Sequence, residues 1–370
     1  MVFYLLLFIY FFSALFGRKE YKSITSKRIA VIIYILPLFL LTALRDVSIG
    51  PDTSAYYRIF YLIANRDSFM QAFAYSHFEP GYVLLNYIIG KMGGSYYFMQ
   101  IIISAFIYYS FGKFIFQYSD HIAFSCFLLL ANNCVFGTMN VVRMWIVVAI
   151  LLFEIKPIQQ RRLVTCIIIT AIAASFHYTA LLFLLMYPLA KKIVSIDKIG
   201  TMFIIAVAIS IAAIPVFTFI TNAIGLYQNY LTGTRFDTSD NVAVKISLVV
   251  NMCFLGLATV THAWENSRDE IIENNQSSPV SISMISYWGI ILSVCISIIG
   301  LSNNIMGRII YYFSIFELLS IPHSIKNMRL TNNMIITTFV ILSLLALKMV
   351  IILVYRPIWY QVVPYKLFFI

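Results

Sequence analysis

Long apolar runs alternate with short polar segments along the whole chain. Most of these runs approach the roughly 20 residues that an α-helix needs to cross a bilayer. The pattern predicts an all-α polytopic membrane protein, a bundle of about 11–13 transmembrane helices. The predicted spans are residues 1–16, 29–44, 96–116, 121–137, 140–155, 163–189, 199–222, 243–263, 282–300, 307–322 and 333–354.

Two apolar stretches do not fit a single crossing. Residues 80–94 are apolar for only about ten residues, so they are predicted to be re-entrant or to lie at the interface. Residues 163–189 lie between two basic loops that should both be cytoplasmic. This second stretch is therefore predicted to cross twice or to dip as a hairpin, with its tip near residues 174–179.

Composition agrees with a membrane protein. The chain is 61% hydrophobic and only 11% charged, with a mean hydropathy of +0.88, whereas a soluble domain is nearer a quarter charged. Because no long stretch has a soluble composition, we predict a single integral domain over residues 1–370. Its larger outer loops are expected at 45–95 and 223–242.

The formal net charge of +11 is distributed as short basic loops between spans. These loops lie at residues 17–28, 156–162 and 191–198, and the positive-inside rule places such loops in the cytoplasm. A basic stripe suited to nucleic acid is not present, so nucleic acid is not expected as a partner. The same rule places residues 45–52 on the outer side.

The five cysteines all lie in apolar segments, and no two of them form a C-x-x-C pair. They are interpreted as small buried hydrophobic residues. The sequence therefore predicts neither a disulfide nor a metal site.

Charged residues inside membrane spans are costly and often functional. Arg143 and Arg308 each stand near the predicted outer start of a helix. A helix N-terminus attracts anions, and a guanidinium matches phosphate oxygens, so two such sites on one face would suit a diphosphate. The alternatives are interfacial anchors or structural ion pairs.

Other polar residues near the predicted outer face leave two interpretations open. Tyr311 and Tyr312 share the side of the helix that carries Arg308, where they could stack on sugars or form an interfacial aromatic belt. His177 could be a catalytic base or a hydrogen-bonded structural residue. Glu79 could be an acid or a charge near a helix N-terminus.

A dense polar stretch, LRDVSIGPDTSAYYRIF, occupies residues 44–60. Arg45 and Asp46 are interpreted as a local salt bridge. Asp52 follows a Gly-Pro turn, so it could cap the next helix or accept the proton of a sugar hydroxyl. Tyr56, Tyr57 and Phe60 have the spacing of an amphipathic interfacial helix.

Six short motifs occur in a defined order along the chain. They are LRDVSIGPDTSAYYRIF (44–60), FEPGY (78–82), NVVRMWIVVAI (140–150), SFHYTALL (175–182), GRIIYYF (307–313) and VVPYKLFF (362–369). In this order they resemble EpsG-type membrane proteins, a group similar to the Wzy polymerases of O-antigen, capsule and exopolysaccharide. The resemblance covers nearly the whole chain.

The resemblance implies a polymerase that transfers a growing glycan from an undecaprenyl diphosphate carrier onto the next lipid-linked repeat unit. The reaction is expected at the outer face of the bacterial inner membrane. The fold is expected to be a bundle like the C-type membrane glycosyltransferases, with no cofactor. Expected partners are the lipid-linked repeat unit, membrane lipids and a chain-length regulator protein.

On this hypothesis, the candidate residues divide by role. Arg143 and Arg308 are assigned to the donor diphosphate, and Arg45 and Arg235 could help to bind either lipid diphosphate. Asp52 orients or deprotonates the acceptor hydroxyl, with His177 as an alternative base. The remaining candidates are expected along the sugar and acceptor path: Tyr56, Tyr57, Glu79, Tyr311 and Tyr312.

Three other functions fit parts of the pattern. An O-antigen ligase would use the same lipid donor with another acceptor. A polysaccharide flippase or transporter would favour polar residues near the membrane midplane and repeated halves. A membrane O-acyltransferase would need a catalytic histidine pattern on the side of its acyl donor, for which only His177 is a candidate.

Overall fold

The computed structural model describes residues 2–15, 21, 23–192, 194, 196–224, 242–269, 280–301, 307–328 and 331–369. These residues are predominantly helical, which confirms the predicted all-α membrane fold. The described ranges contain one isolated β-bridge, between Arg45 and Leu367. The backbone divides into two compact units, Met1–Leu185 with Ile325–Ile370, and Met186–Ser324. The single integral domain stays a prediction.

The described residues form a series of helices along the chain. They are α1 (Val2–Leu15), α2 (Ile24–Ala43), α3 (Thr53–Ala64), α4 (Phe69–Ser76), α5 (Pro80–Lys91), α6 (Tyr96–Tyr118), α7 (Ile122–Ala131), α8 (Cys134–Asn140), α9 (Val142–Leu151), α10 (Ile155–Gln159), α11 (Leu163–Ala174), α12 (Met186–Leu189), α13 (Ile196–Ile224), α14 (Val242–Asp269), α15 (Ile282–Gly300), α16 (Tyr311–Ser314), α17 (Glu317–Lys326) and α18 (Thr331–Val350). A 3-10 segment, Tyr178–Leu185, follows α11.

Within the described residues, five helical stretches are long and apolar enough to cross a membrane, or six if one bent pair counts as a span. They are Ile24–Ala43, Tyr96–Tyr118, Val244–His262, Ile282–Gly300 and Ile335–Tyr355. This number is below the predicted 11–13, because several predicted spans are built from shorter helical pieces. Three of these pieces are apolar helices of 10–17 residues: Tyr4–Ser13, Leu163–Ala174 and Tyr178–Leu189.

The predicted span 121–137 is broken rather than straight. Helices α7 and α8 meet at an angle of 52°, and Asn133 at the break has φ 63° in the left-handed region. Asparagine tolerates this conformation better than most residues. The preceding residue, Asn132, caps the end of α7, and its Oδ1 accepts a hydrogen bond from Lys348 Nζ of α18 at 2.5 Å.

The predicted hairpin 163–189 also contains a break. Helix α11 ends at Ala174 and the 3-10 segment begins at Tyr178, so the break lies within the predicted tip at 174–179. The two arms pack against each other. His177 therefore lies in the connection between two packed arms.

Helix α9 forms the core of the first unit. Eight of its ten residues are buried, and α6 and α11 pack on it. Helix α2 packs on α6, and α1 packs on α7. Because α9 is enclosed over most of its length, its polar second residue, Arg143, is held in a defined position.

The predicted outer loop 45–95 contains three helices, α3, α4 and α5, which pack on one another. Residues Thr53, Tyr56, Phe60 and Ile63 form the buried face of α3, with the three- and four-residue spacing of an amphipathic helix. Ile63, Ala72 and Val83, one from each helix, form the common core of this layer.

The second unit is centred on α15, most of whose residues are buried. Helices α13 and α14 both pack on it. Hydroxyl groups link α15 to α14, as when the Tyr287 hydroxyl donates to Thr259 Oγ1 at 3.0 Å. Interhelical hydrogen bonds of this kind are common between membrane helices.

Candidate functional site

The FEPGY motif begins helix α5 and places a carboxylate at its start. Glu79 is the N-cap residue, and Pro80 occupies the first helical position, where its missing N–H is not needed. The Glu79 side chain makes no capping bond. It forms instead an ion pair between its Oε2 and the Nη1 of Arg143. Glu79 is thus both at a helix start and an ion-pair partner.

Arg143 is the second residue of α9, where the helix dipole disfavours a cation. Neighbouring side chains offset this unfavourable position of the positive charge. Its guanidinium lies 4.0 Å from the ring centroid of Phe78 and 6.0 Å from that of Tyr82, and the Tyr56 hydroxyl is within hydrogen-bonding reach. Its Nε is buried without a hydrogen-bond partner in the part of the chain that is described. The Arg143 side chain keeps 19% of its surface exposed.

His177 completes a cluster around Glu79. Its Nδ1 lies 4.0 Å from Glu79 Oε1 and 2.8 Å from Thr179 Oγ1. The Glu79 carboxylate therefore stands between Arg143 and His177, with one oxygen towards each. The side chain of His177 is 23% exposed, and that of Glu79 is 9% exposed. The cluster is partly open to its surroundings.

A close backbone contact brings α5 to the histidine turn. The N–H of Gly81 donates to the carbonyl of Ser175 at 2.7 Å. A Cβ atom at position 81 would stand 2.3 Å from Ser175 Oγ and 2.8 Å from the Ser175 carbonyl oxygen. Only glycine permits this approach. The glycine of FEPGY therefore positions Glu79 beside His177.

Asp52 stands at the start of α3 but does not cap it through its side chain. Its backbone N–H donates to Asn140 Oδ1 at 3.2 Å. Asn140 stands three residues before Arg143 in the chain. The neighbouring Thr53 hydroxyl donates to the carbonyls of Ile49 and Met139 at 2.6 Å and 3.0 Å. These bonds tie the start of α3 to the junction of α8 and α9.

Arg45 lies inside the first unit, with 1% of its surface exposed. Its Nη1 donates to the Thr42 carbonyl at 2.6 Å and its Nη2 to the Met139 carbonyl at 3.3 Å. Arg45 lines a cavity of about 10 Å³ together with Tyr82 and Gln100, and its Nε has no hydrogen-bond partner among the described residues. This volume suits about one water molecule, so the geometry favours a structural role over the predicted contact with diphosphate.

The predicted Arg45–Asp46 salt bridge is wrong for the described structure. Because Arg45 turns inward to backbone carbonyls, Asp46 accepts instead from the Ser48 N–H at 3.0 Å and the Tyr97 hydroxyl at 3.3 Å. Partial burial acts to raise the pKa of Asp46, but these hydrogen bonds together hold it below its ordinary value.

The C-terminal motif VVPYKLFF holds the polar stretch 44–50 in place. The Asp46 N–H donates to the Lys366 carbonyl at 2.9 Å, and the Phe368 N–H donates to the Leu44 carbonyl at 3.1 Å. The Phe368 ring stacks on Tyr97 with centroids 4.5 Å apart. This motif therefore has a structural role, because its contacts fix the position of the polar stretch 44–50.

The two tyrosines of α3 have different surroundings. Tyr56 is buried and packs on Phe78 and Tyr82, with ring centroids at 6.2 Å and 5.8 Å. Tyr57 is half-buried and packs on Tyr96 at 5.3 Å. Tyr56 thus belongs to the Arg143 cluster, and Tyr57 lies in the adjoining aromatic group.

The remaining predicted site residues lie elsewhere in the chain. Arg308 is exposed, Tyr311 is half-buried and Tyr312 is buried, all in the second unit. Arg235 lies outside the described residues. The predicted common face of Arg143 and Arg308 stays a prediction.

Several contributors to the cluster were not assigned roles from the sequence. Phe78 and Tyr82 stand under and beside the guanidinium, Thr179 contacts His177, and Asn140 holds the backbone of Asp52. Each is a neighbour of a predicted charged residue within a quoted motif. Their side-chain contacts depend on separate segments, which a single sequence does not bring together.

The cysteines and acidic side chains do not come together as a metal site in the described parts of the chain. Within the described ranges, no three His, Cys, Asp or Glu side chains converge as metal ligands. Cys126, Cys134, Cys166 and Cys295 are buried, whereas Cys253 is exposed. The interpretation as buried hydrophobic residues therefore holds for four of the five.

Comparison with known proteins extends over nearly the whole chain. The model of the EpsG family matches residues 28–367. No curated protein and no solved structure gives a significant match. The matched range includes five of the six motifs in full, the last one up to residue 367, and the complete Glu79–Arg143–His177 cluster. The chain therefore belongs to the EpsG family, which is associated with Wzy-like polysaccharide polymerases.

Proposed function

We propose that this protein is a membrane glycosyltransferase that polymerises a polysaccharide from polyprenyl-diphosphate-linked repeat units. It transfers the growing glycan from undecaprenyl diphosphate onto the next lipid-linked unit, at the outer face of the bacterial inner membrane. Family membership supports a polysaccharide polymerase role in general. The donor, the face and the mechanism are the proposed parts.

One observation supports the mechanism most directly. Three residues from separate segments, Glu79, Arg143 and His177, converge on one partly exposed cluster. A cation at a helix N-terminus beside a carboxylate and an imidazole combines an anion-binding group with two groups able to hold a proton. This set suits a transfer in which a diphosphate leaves and a hydroxyl attacks.

Arg143 is the proposed ligand of the donor diphosphate. Its guanidinium has five N–H donors, and the one at Nε has no partner within the described residues. As the bond between the anomeric carbon and the diphosphate oxygen breaks, negative charge develops on the leaving group. Arg143 and the N-terminus of α9 stabilise that charge in a low-dielectric surrounding.

His177 and Glu79 are the proposed acid–base pair. The acceptor hydroxyl oxygen forms the new bond to the anomeric carbon, and its proton passes to His177. Glu79 stabilises the imidazolium that results, while Thr179 orients the ring. Asp52 is the alternative base, because its carboxylate is not used to cap α3.

Aromatic rings beside the cluster are proposed to line the sugar path. Phe78, Tyr56 and Tyr82 pack on one another around the guanidinium, and Tyr57 extends the aromatic surface along α3. Aromatic faces and phenolic hydroxyls together match the apolar faces and polar edges of sugar rings. A chain-length regulator protein is the proposed partner that limits polymer length.

The test of this function is a strain that lacks the gene. Where the glycan is assembled on lipid A core, loss of a polymerase leaves a single repeat unit attached, whereas loss of a ligase leaves none. Membranes of the complemented strain, given the purified lipid-linked repeat unit, are expected to produce a ladder of longer glycans. If these membranes form no polymer although the lipid-linked repeat unit supplied to them is intact, the proposal is contradicted.

A further inference from the structure

An apolar groove runs along the surface of the first unit between α2 and α6. Its volume is about 700 Å³. The walls come from Val31, Ile35 and Phe39 of α2 and from Tyr109 and Phe116 of α6. Both helices belong to the candidate membrane spans, so this groove faces a hydrocarbon environment over most of its length.

One end of the groove is basic. Arg28, which is exposed, and Lys113, which is half-buried, line it directly together with Gln117. Lys27 Nζ lies 5.1 Å from the ring centroid of Phe116, and Lys113 Nζ lies 4.4 Å from that of Phe153. These contacts hold two ammonium groups at the rim of an apolar channel.

A second, more polar cavity adjoins this basic end. It has a volume of about 200 Å³ and shares Lys113 and Gln117 with the groove. Lys156 also lines this cavity. Arg28 and Lys113 therefore line the apolar groove, and Lys113 and Lys156 line the polar cavity beside it. We propose that this groove binds one acidic phospholipid, with its phosphate at the basic end and an acyl chain along α2.

Length and charge both favour a phospholipid as the occupant. From Arg28 to Phe39 the groove follows eleven residues of helix, about 17 Å at 1.5 Å per residue. This is close to half of the roughly 30 Å hydrocarbon thickness, the depth that one leaflet's chains fill. Basic pockets between membrane helices are the usual sites for anionic headgroups.

The position of the groove keeps it separate from the proposed polymerase site. Arg28 is in the second turn of α2, whereas Arg45 and the polar stretch follow the other end of that helix. Fifteen residues of helix lead from Arg28 to Ala43, where α2 ends, about 23 Å along the axis. The phosphate is therefore expected in the leaflet opposite to the Glu79–Arg143–His177 cluster, and this inference does not depend on the proposed function.

Native mass spectrometry of the full-length protein tests the site. The protein is purified in mild detergent, and phosphatidylglycerol or phosphatidylcholine is added at matched concentrations. We expect one phosphatidylglycerol to be retained by the wild-type protein. The double variant Arg28→Gln, Lys113→Gln should retain it about tenfold less, because each basic group contributes to anionic lipid binding.

Two matched controls separate the headgroup site from general effects. Lys91→Gln removes another lysine that stacks on a ring, 5.5 Å from the centroid of Tyr87, and should leave retention unchanged. Ile32→Trp fills the groove from an exposed position that lines it, whereas Ile33→Trp enlarges a neighbouring exposed side chain that does not line it. Only Ile32→Trp should displace the lipid.

Three results would overturn the inference. Equal retention of phosphatidylcholine would show ordinary annular lipid. Wild-type retention by both the charge variant and Ile32→Trp would place the lipid elsewhere. Displacement of phosphatidylglycerol by undecaprenyl phosphate at equal concentration would assign the groove to the polyprenyl carrier instead.

Discussion

Arg143 of α9 forms an ion pair with Glu79 at the start of α5, although 64 residues separate them. The same carboxylate faces His177 with its other oxygen. A cation at a helix N-terminus is unfavourable by itself, and the negative charge of Glu79 offsets this cost. The pair therefore holds an anion-binding group in place before any anion arrives, and a diphosphate would compete with Glu79 for the same guanidinium.

Replacing Arg143 by alanine is expected to abolish long glycans. The diphosphate loses its proposed ligand, which corresponds to a rate reduction of about 10²-fold or more, seen as a collapsed ladder on a gel. Arg143→Lys should restore the activity only partly, because an ammonium lacks the planar fork of donors.

Arg66→Ala is the matched control for this substitution. The Arg66 guanidinium also stacks on a ring, 4.1 Å from the centroid of Tyr75, whereas that of Arg143 lies 4.0 Å from the centroid of Phe78. This variant should give a wild-type ladder at equal membrane levels. A wild-type ladder from Arg143→Ala would refute the diphosphate contact.

Changing Glu79 to glutamine tests the link between the ion pair and the histidine. The amide keeps the shape but removes the charge, so the imidazolium of His177 loses its stabilising partner. We expect polymerisation to fall by about 10²-fold, with the protein still folded. If His177→Gln in the same assay leaves activity intact, His177 is not the base and Asp52 takes its place.

Gly81→Ala is expected to damage the site by packing alone. The new Cβ meets the Ser175 carbonyl oxygen and hydroxyl at distances no real Cβ tolerates, so α5 must move away from the histidine turn. Overpacking of this kind costs about 1–3 kcal/mol, measurable as a lower thermal midpoint, and activity should fall with it. Gly256→Ala, where nothing lies within 4 Å, is the control. It should leave activity unchanged and should not lower the midpoint, because alanine is favoured over glycine inside a helix.

Asp52→Asn separates a catalytic role from a structural one. If Asp52 is the acceptor base in place of His177, Asp52→Asn removes the proton acceptor and polymerisation is lost, whereas with His177 as the base the glycan ladder keeps its length. Thr53→Val is the structural comparison. It removes a hydroxyl whose one proton is shared between two carbonyl acceptors, which costs about 1 kcal/mol of stability, and it leaves the Asp52 carboxylate in place. Full activity of Asp52→Asn would exclude it as the base.

The sequence predicted the helical class and several local features correctly. Apolar run lengths indicated a membrane bundle, and the short stretch 80–94 became α5, too short to span. The break at 174–179 was also expected, because two basic loops required the chain to turn back. The number of long spans was not predictable in the same way, since Asn133 bends one predicted span and 3-10 segments shorten others.

Composition was therefore enough to determine that the chain folds in a membrane, because the length of hydrophobic runs and the placement of charges are local properties. The order of the motifs was enough to determine the family. Tertiary structure alone decided which polar residues meet. Arg45 and Arg143 are both arginines near a predicted outer helix end, yet one bonds backbone carbonyls in the interior and the other an ion-pair partner in a partly open cluster. That difference arises from the packing of α5, α9 and the histidine turn, contacts between segments far apart in the chain whose geometry no local pattern encodes.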